Sequence, residues 1–256
     1  MIAVAAAVGL ALALMLNQRR IVRLQRALSH TSADLEHLER AFARFAPADV
    51  VERLSSGADT IDPEKRVATI LFADLVGFTS MTEDLDPAIL VPILNGYFER
   101  ACGAIREHHG HVSRIMGDGL MALFGAIEKN EWQAGDAVRA ALAMRDVLAE
   151  YNRQLSTEGR PELRFGVGID RGEVIAAMVG SDELMEFTVM GDVVNVAARV
   201  EALTRVHAVD ILITAGVRDQ LDGVYELAEM PTVEVKGKSA PIATWAVRGQ
   251  SRLAPT

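Results

Sequence analysis

Two acidic residues stand where acids are costly. Asp74 interrupts the apolar run "ILFADLVGFTS" at 70–80, and Asp118 sits between two glycines in "RIMGDGLMALFG" at 114–125. An ionised carboxylate in apolar surroundings needs a cationic partner, a metal ion or a route to water. Asp74 closes a predicted strand, and Asp118 occupies the turn of a predicted hairpin. If those strands are neighbours, both carboxylates project from one end of a sheet, where they repel each other unless a cation holds them. Magnesium or manganese, bound by carboxylates and phosphate oxygens, is the usual solution. Gly77 follows Asp74 by three residues and precedes "FTS", a helix-start signal, so free backbone N–H groups there can take a phosphate. An Asp at a strand end also serves as a turn or capping residue, and spacing alone leaves both readings open.

The elements that would position these residues alternate. "RVATILFADL" reads as a strand. "DPAILVPILNGYFERACGAIREHHG" reads as a helix, with Pro87 in its first turn and Gly110 after its end. "HVSRIMGDGLMALFG" gives two strands around the Gly117-Asp118-Gly119 turn, and "EWQAGDAVRAALAMRDVLAEYNRQL" a second helix. "LRFGVGIDRGEVIAAMVG" predicts two further strands around a glycine-bearing turn. The order is that of an α+β, ferredoxin-like (βαββαβ) domain, an antiparallel sheet with helices on one face, followed by additions. His108, His109 and His111 straddle a helix end and read as polar surface residues, the methionines as core filler. Cys102, the single cysteine, excludes an internal disulfide and a cysteine-based zinc site, and reads as a small buried residue.

The 256 residues carry a net charge of -9, which argues against nucleic acid as a partner. Residues 2–16, "IAVAAAVGLALALML", hold no charge and are followed by Arg19, Arg20, Arg23 and Arg26. A membrane span usually needs about 20 apolar residues. The run is therefore short, as expected if its first turns lie upstream of this chain. The basic residues behind it place the remainder on the cytoplasmic side of a cell membrane. Residues 1–18 are thus read as a transmembrane anchor. Residues 19–57 are read as a helical dimerising and transducing segment, with Ile21, Leu24, Leu28, Leu35, Leu38, Phe42 and Phe45 forming a pairing seam. Residues 58–250 form the compact domain and 251–256 a tail.

"FADLVGFTS", "MGDGLMALFG", "FTVMGDVVNVAARVEAL" and "VEVKGKSAPIATWAV", in this order from about Arg66 to Val247, resemble the catalytic domain of class III nucleotide cyclases. "FARFAPADVVERL" is similar to the segment that often precedes such domains. The resemblance implies two Mg2+ or Mn2+ ions held by Asp74, Asp118 and the Leu75 carbonyl. It implies a phosphate-cradling turn at Gly77, Phe78 and Thr79. Asn195 and Arg199 match the pair that positions the ribose and stabilises charge on the α-phosphate. Lys236, with Lys238 as the fallback, matches the lysine at the terminal phosphates. It further implies a homodimer in which one copy supplies the aspartates and the other Asn195, Arg199 and Lys236. Taken singly, Arg199 could instead pair with Glu201 or Glu186, and Asn195 could be an ordinary helix polar.

The base-reading positions depart from the family's usual pattern. Arg114 stands where a Lys is usual and Thr188 where an Asp is usual. Thr188 fits a known bacterial variant of adenylate cyclases, its hydroxyl both donating and accepting. Arg114 keeps the positive charge but is larger and forked, and guanine could also satisfy it. The Glu usual in guanylate cyclases is absent, so ATP is the expected substrate. A guanylate cyclase is the alternative, as is a silent module that binds nucleotide or only dimerises. Glu173 stands where some relatives carry a phosphate-binding Arg.

Overall fold

A computed structural model describes residues 63–181, 184–232 and 242–250, with Gln18 and Gln25 as isolated helical positions. The apolar run 2–16, the seam 21–45, the residues before Pro63, Lys236, Lys238 and the tail 251–256 lie outside the described residues. Among the described residues no helix is long and apolar enough to cross a membrane. The chain divides into units 1–59 and 60–256, and all the elements below belong to the second.

The first strand, β1 (Glu64–Leu75), runs through the middle of the sheet and is buried over most of its second half. A short helix α1 (Phe78–Asp84) leads into α2 (Pro87–Glu107). The start of α2 is set by Asp86, whose side chain accepts from the Ala88 N–H at 2.8 Å, and by Pro87 in the first turn. Its end is closed by the Gly110 N–H donating to the Ile105 carbonyl at 2.9 Å. The hairpin β2 (His111–Met116) and β3 (Gly119–Phe124) turns tightly, with Met116 opposite Gly119. Gly117, at φ 66, takes the first central position of that turn. Then follow α3 (Gln133–Thr157), β4 (Phe165–Ser181), β5 (Leu184–Met190), α4 (Asp192–His207), β6 (Ile211–Thr214), α5 (Ala215–Arg218), β7 (Tyr225–Glu229) and β8 (Thr244–Gln250).

The strand order β2-β3-β1-β4 is that of the predicted ferredoxin-like core, and β6, β8 and β7 extend it. Three details differ from expectation. First, "LRFGVGIDRGEVIAAMVG" is not a hairpin. It is one 17-residue strand, β4, paired with β1 without interruption from Phe165 to Ala176. Gly172 has no positive φ; a Cβ there would lie 2.7 Å from Val193 Cγ2, so it makes room for α4 and turns nothing. Second, β4 and β6 pair in parallel, which makes the sheet mixed. Third, helices cover both faces.

The two faces can be read from strand alternation. Leu71, Ala73, Leu75, Val167, Ile169, Ile211 and Ile213 join the main core under α2 and α3. Leu212 faces the other way and packs with Val196, Val200 and Leu203 of α4. Phe72, Asp74, Gly166 and Gly168 share that second face. The glycines let α4 lie almost on the strand. A Cβ on Gly168 would sit 2.1 Å from the Glu201 nitrogen and 2.5 Å from the Ala197 oxygen. On the outer side, Arg145 of α3 donates to the Val247 and Arg248 carbonyls at 2.7 and 2.8 Å and pairs with Asp210 at 2.6 Å. It ties the sheet's extension to the helical layer. Cys102 is half-buried, not fully buried as expected, because it lies towards the edge of the face that α2 presents to the core.

Candidate active site

Asp74 is the penultimate residue of β1, on the face that α4 covers. Its register partner is Gly166, and the preceding residue, Ala73, pairs with Leu120 at the base of the β2–β3 turn. The turn therefore reaches over Asp74. A Cβ on Gly119 would lie 3.0 Å from Asp74 Oδ1, so the side chain-free position admits that carboxylate. Asp118, in the turn, lies close enough to Asp74 for the two charges to act on each other. Burial pushes the Asp118 carboxyl up, and the negative charge of Asp74 pushes it further. The structure thus brings together the two acids that the sequence singled out.

The other oxygen of Asp74 has a different neighbour. Oδ2 accepts from Arg205 Nη2 at 2.5 Å, and Arg205 Nη1 donates to Glu201 Oε1 at 2.9 Å. Glu201 is largely buried against Gly166, and its pKa is raised to about 7. Burial is the main cause; Arg205 opposes it, while Asp74 and Asp118 add to it. Beneath the group lies Tyr97 of α2. Its buried hydroxyl has no hydrogen-bond partner among the described residues, and burial raises its pKa, helped by Asp74.

The chain leaves this point in an orderly way. Leu75 ends β1, and the Val76 N–H donates to the Arg164 carbonyl at 2.8 Å. Gly77, at φ 77, precedes α1 with open space around it. The first helical bond runs from the Met81 N–H to the Gly77 carbonyl at 3.3 Å, so the N–H groups of Phe78 and Thr79 precede it.

The donor set suits a hard divalent cation. Two neighbouring carboxylates, one with a raised pKa, are relieved when a cation sits between them. Among the described residues no group of three or more His, Cys, Asp or Glu side chains is arranged to hold a metal. A pair of carboxylates matches the habit of magnesium, which keeps water and substrate phosphate for its remaining positions.

The remaining sequence-singled residues lie elsewhere. Asn195 and Arg199 are on α4, and neither side chain makes a hydrogen bond or ion pair with another described residue. The pairing of Arg199 with Glu201 does not occur, since Glu201 binds Arg205. At 100° per residue, Arg205 points roughly 120° away from Arg199 around the helix. One helix thus carries two polar pairs: Glu201 and Arg205 face the chain's own Asp74, while Asn195 and Arg199 face elsewhere. Arg114 is exposed on the edge strand β2, beside a bulge between Val112 and Arg114. Thr188 lies on β5 opposite Ala177, in the extension of β4. Glu173 is exposed and pairs with Lys65 at 3.0 Å.

Arg205 was not singled out from the sequence, and Glu201 only as a possible partner of Arg199. Their signal was present but faint: an i, i+4 acid–base pair, two turns behind Asn195 and Arg199, facing a "GVG" stretch that allows close approach.

Comparison with known proteins agrees with this geometry. The family described as "Adenylate and Guanylate cyclase catalytic domain" matches residues 62–249. An adenylate cyclase of Anabaena cylindrica is 33% identical over 219 residues, covering 81% of this chain and 43% of that protein. The chain therefore spans less than half the length of that relative. The crystal structure of the guanylyl cyclase Cya2 aligns with TM-score 0.70 at 32% identity, covering 75% of this chain and 96% of that one. That of the adenylyl cyclase CyaB from P. aeruginosa aligns with TM-score 0.70 at 26% identity, covering 75% and 98%. With the paired aspartates at the end of a ferredoxin-like sheet and a family match over most of its length, the chain belongs to the adenylate and guanylate cyclase catalytic domain family.

Proposed function

We propose that the protein converts ATP to 3',5'-cyclic AMP and pyrophosphate, at sites shared between two copies of the chain. The observation that carries this reading is the meeting of Asp74 and Asp118 beside the open turn at Gly77. Asp74 and Asp118, with the Leu75 carbonyl, would hold two divalent ions, Mg2+ or Mn2+. Bound there, such ions would lower the pKa of the ribose 3'-hydroxyl and neutralise the triphosphate. The N–H groups of Gly77, Phe78 and Thr79 face the phosphates. Asn195 of the second copy orients the ribose, and its Arg199 offers forked donors to the α-phosphate as charge builds there. Lys236 meets the terminal phosphates. The 3'-oxygen attacks the α-phosphorus, its proton passes to solvent, and the α–β bridging bond breaks to release pyrophosphate.

Arg114 and Thr188 read the base. The likeness to a guanylyl cyclase at 32% identity, together with the forked Arg114, supports GTP as a second reading. Incubating the full chain with manganese and either ATP or GTP, and identifying the products by mass, separates the two. Cyclic AMP as the main product is expected; faster turnover of GTP overturns the substrate assignment. Asp74→Ala and Asp118→Ala should each lower turnover by at least about 100-fold with the circular dichroism spectrum unchanged. Parental turnover in either variant would remove the metal assignment.

The apolar run 2–16 followed by arginines supports membrane anchoring with residues 58–250 on the cytoplasmic side. Removing residues 1–18 should then release the protein from sedimented membranes; recovery of the parent chain in the soluble fraction would contradict it.

A further inference from the structure

The Asp74–Arg205 contact bears on how the site takes up its ions. This inference rests on the metal reading proposed above. Two carboxylates shared by two cations serve both most readily when all four oxygens are free to bind. Asp74 has its Oδ1 towards the β2–β3 turn and its Oδ2 hydrogen-bonded by Arg205 at 2.5 Å. Arg205 in turn is tethered from behind by Glu201 at 2.9 Å, whose side chain is only 10% exposed. We propose that Arg205 is a built-in counter-cation that holds the second metal position in the metal-free protein and sets the affinity for the ion that displaces it.

Charge and position support this role. Without a metal, the Asp74–Asp118 pair needs a positive neighbour, and Arg205 is the cation hydrogen-bonded to it. The side chain is 36% exposed and Asp74 is 35% exposed, so the contact can open to solvent without unpacking the core. Glu201 gives the displaced guanidinium a resting partner on its own helix, one turn away. Arg205 is thus a positioning residue acting through Asp74; it reaches neither base nor phosphate in this account.

The test is a Mn2+ titration of the full chain without nucleotide, followed by electron paramagnetic resonance of free Mn2+, with a thermal-shift series in the same samples. Arg205→Gln should bind the weaker of two ions more tightly by roughly tenfold, because a cation close to the incoming ion has been removed. It should also melt lower than the parent in chelator and gain more from added Mn2+. Arg205→Lys, which keeps the charge but not the fork, should stay close to the parent in Mn2+ affinity. Weaker Mn2+ binding by Arg205→Gln would make the residue an orienter of Asp74 and overturn the inference, as would an unchanged titration. Asp74→Asn is the control. If it binds Mn2+ as the parent does, or if the parent binds none, the metal reading itself falls. If it loses binding while Arg205→Gln is unchanged, only the counter-cation role falls.

Discussion

Glu201 shows how one side chain couples the site to the fold. It stands on the buried face of α4 with Arg205 on one side and the Asp74–Asp118 pair beyond, and burial raises its pKa to about 7. An unfolded Glu titrates near 4.3, so between about pH 4.5 and 7 the folded chain holds more protons than the unfolded one. Stability in chelator therefore falls as pH rises through that window and levels off above it. Asp118, whose pKa is also raised, adds to the fall in the same direction. Urea midpoints at pH 5, 6, 7 and 8 in the presence of EDTA should trace that decline. Glu201→Gln should flatten much of it, since a neutral amide has no proton to release. A variant with the parent's slope would show that Glu201 is not the titrating group.

Elements differ in how they use glycine, and two substitutions separate the uses. At Gly168 the backbone is extended, but a Cβ would meet the α4 backbone at 2.1 Å. Helix and strand must move apart, so Gly168→Ala should cost about 3 kcal/mol or more and displace Asn195 and Arg199 with the helix. At Gly117 nothing lies within 4 Å of a Cβ, but φ is 66. There Gly117→Ala should cost only about 1 kcal/mol, as backbone strain. The readout is urea unfolding, and equal losses would contradict the distinction. The same contrast explains what was legible in the sequence. The helix start at Asp86-Pro87 and the Gly117 turn follow local rules, and local rules are visible in a string of residues; Gly110 instead makes room for Phe124, 2.5 Å from where a Cβ would lie. The glycines of "LRFGVGIDRGEVIAAMVG" were read as marking a turn between two strands; the actual reason for Gly172, the Val193 side chain of α4, lies 21 positions away in sequence. The contact of Arg205 with Asp74 is likewise long-range, between residues 131 positions apart. Asp74 and Asp118 were legible because a charged residue in an apolar run is anomalous wherever the chain goes next.

At the scale of the whole molecule, α4 poses a geometric problem that a second copy resolves. The Asp74-facing side of the helix is taken by Glu201 and Arg205. Asn195 and Arg199 point roughly 120° away from that side. In the proposed reaction, a nucleotide held by Asp74 and Asp118 of one copy would take its Asn195 and Arg199 from another, and a two-fold dimer would provide two such sites. The arrangement has a quantitative consequence. Asp74→Ala and Arg199→Ala should each be inactive alone, because each homodimer has two damaged sites. Mixed in equal amounts and allowed to exchange, half of the dimers are hybrids. Each hybrid has one doubly damaged site and one intact site. About a quarter of the parent's sites, and so about a quarter of its turnover, should return. A mixture that stays inactive while native mass spectrometry shows hybrids would place all four residues in one copy's site and would require α4 to turn about its axis on substrate binding.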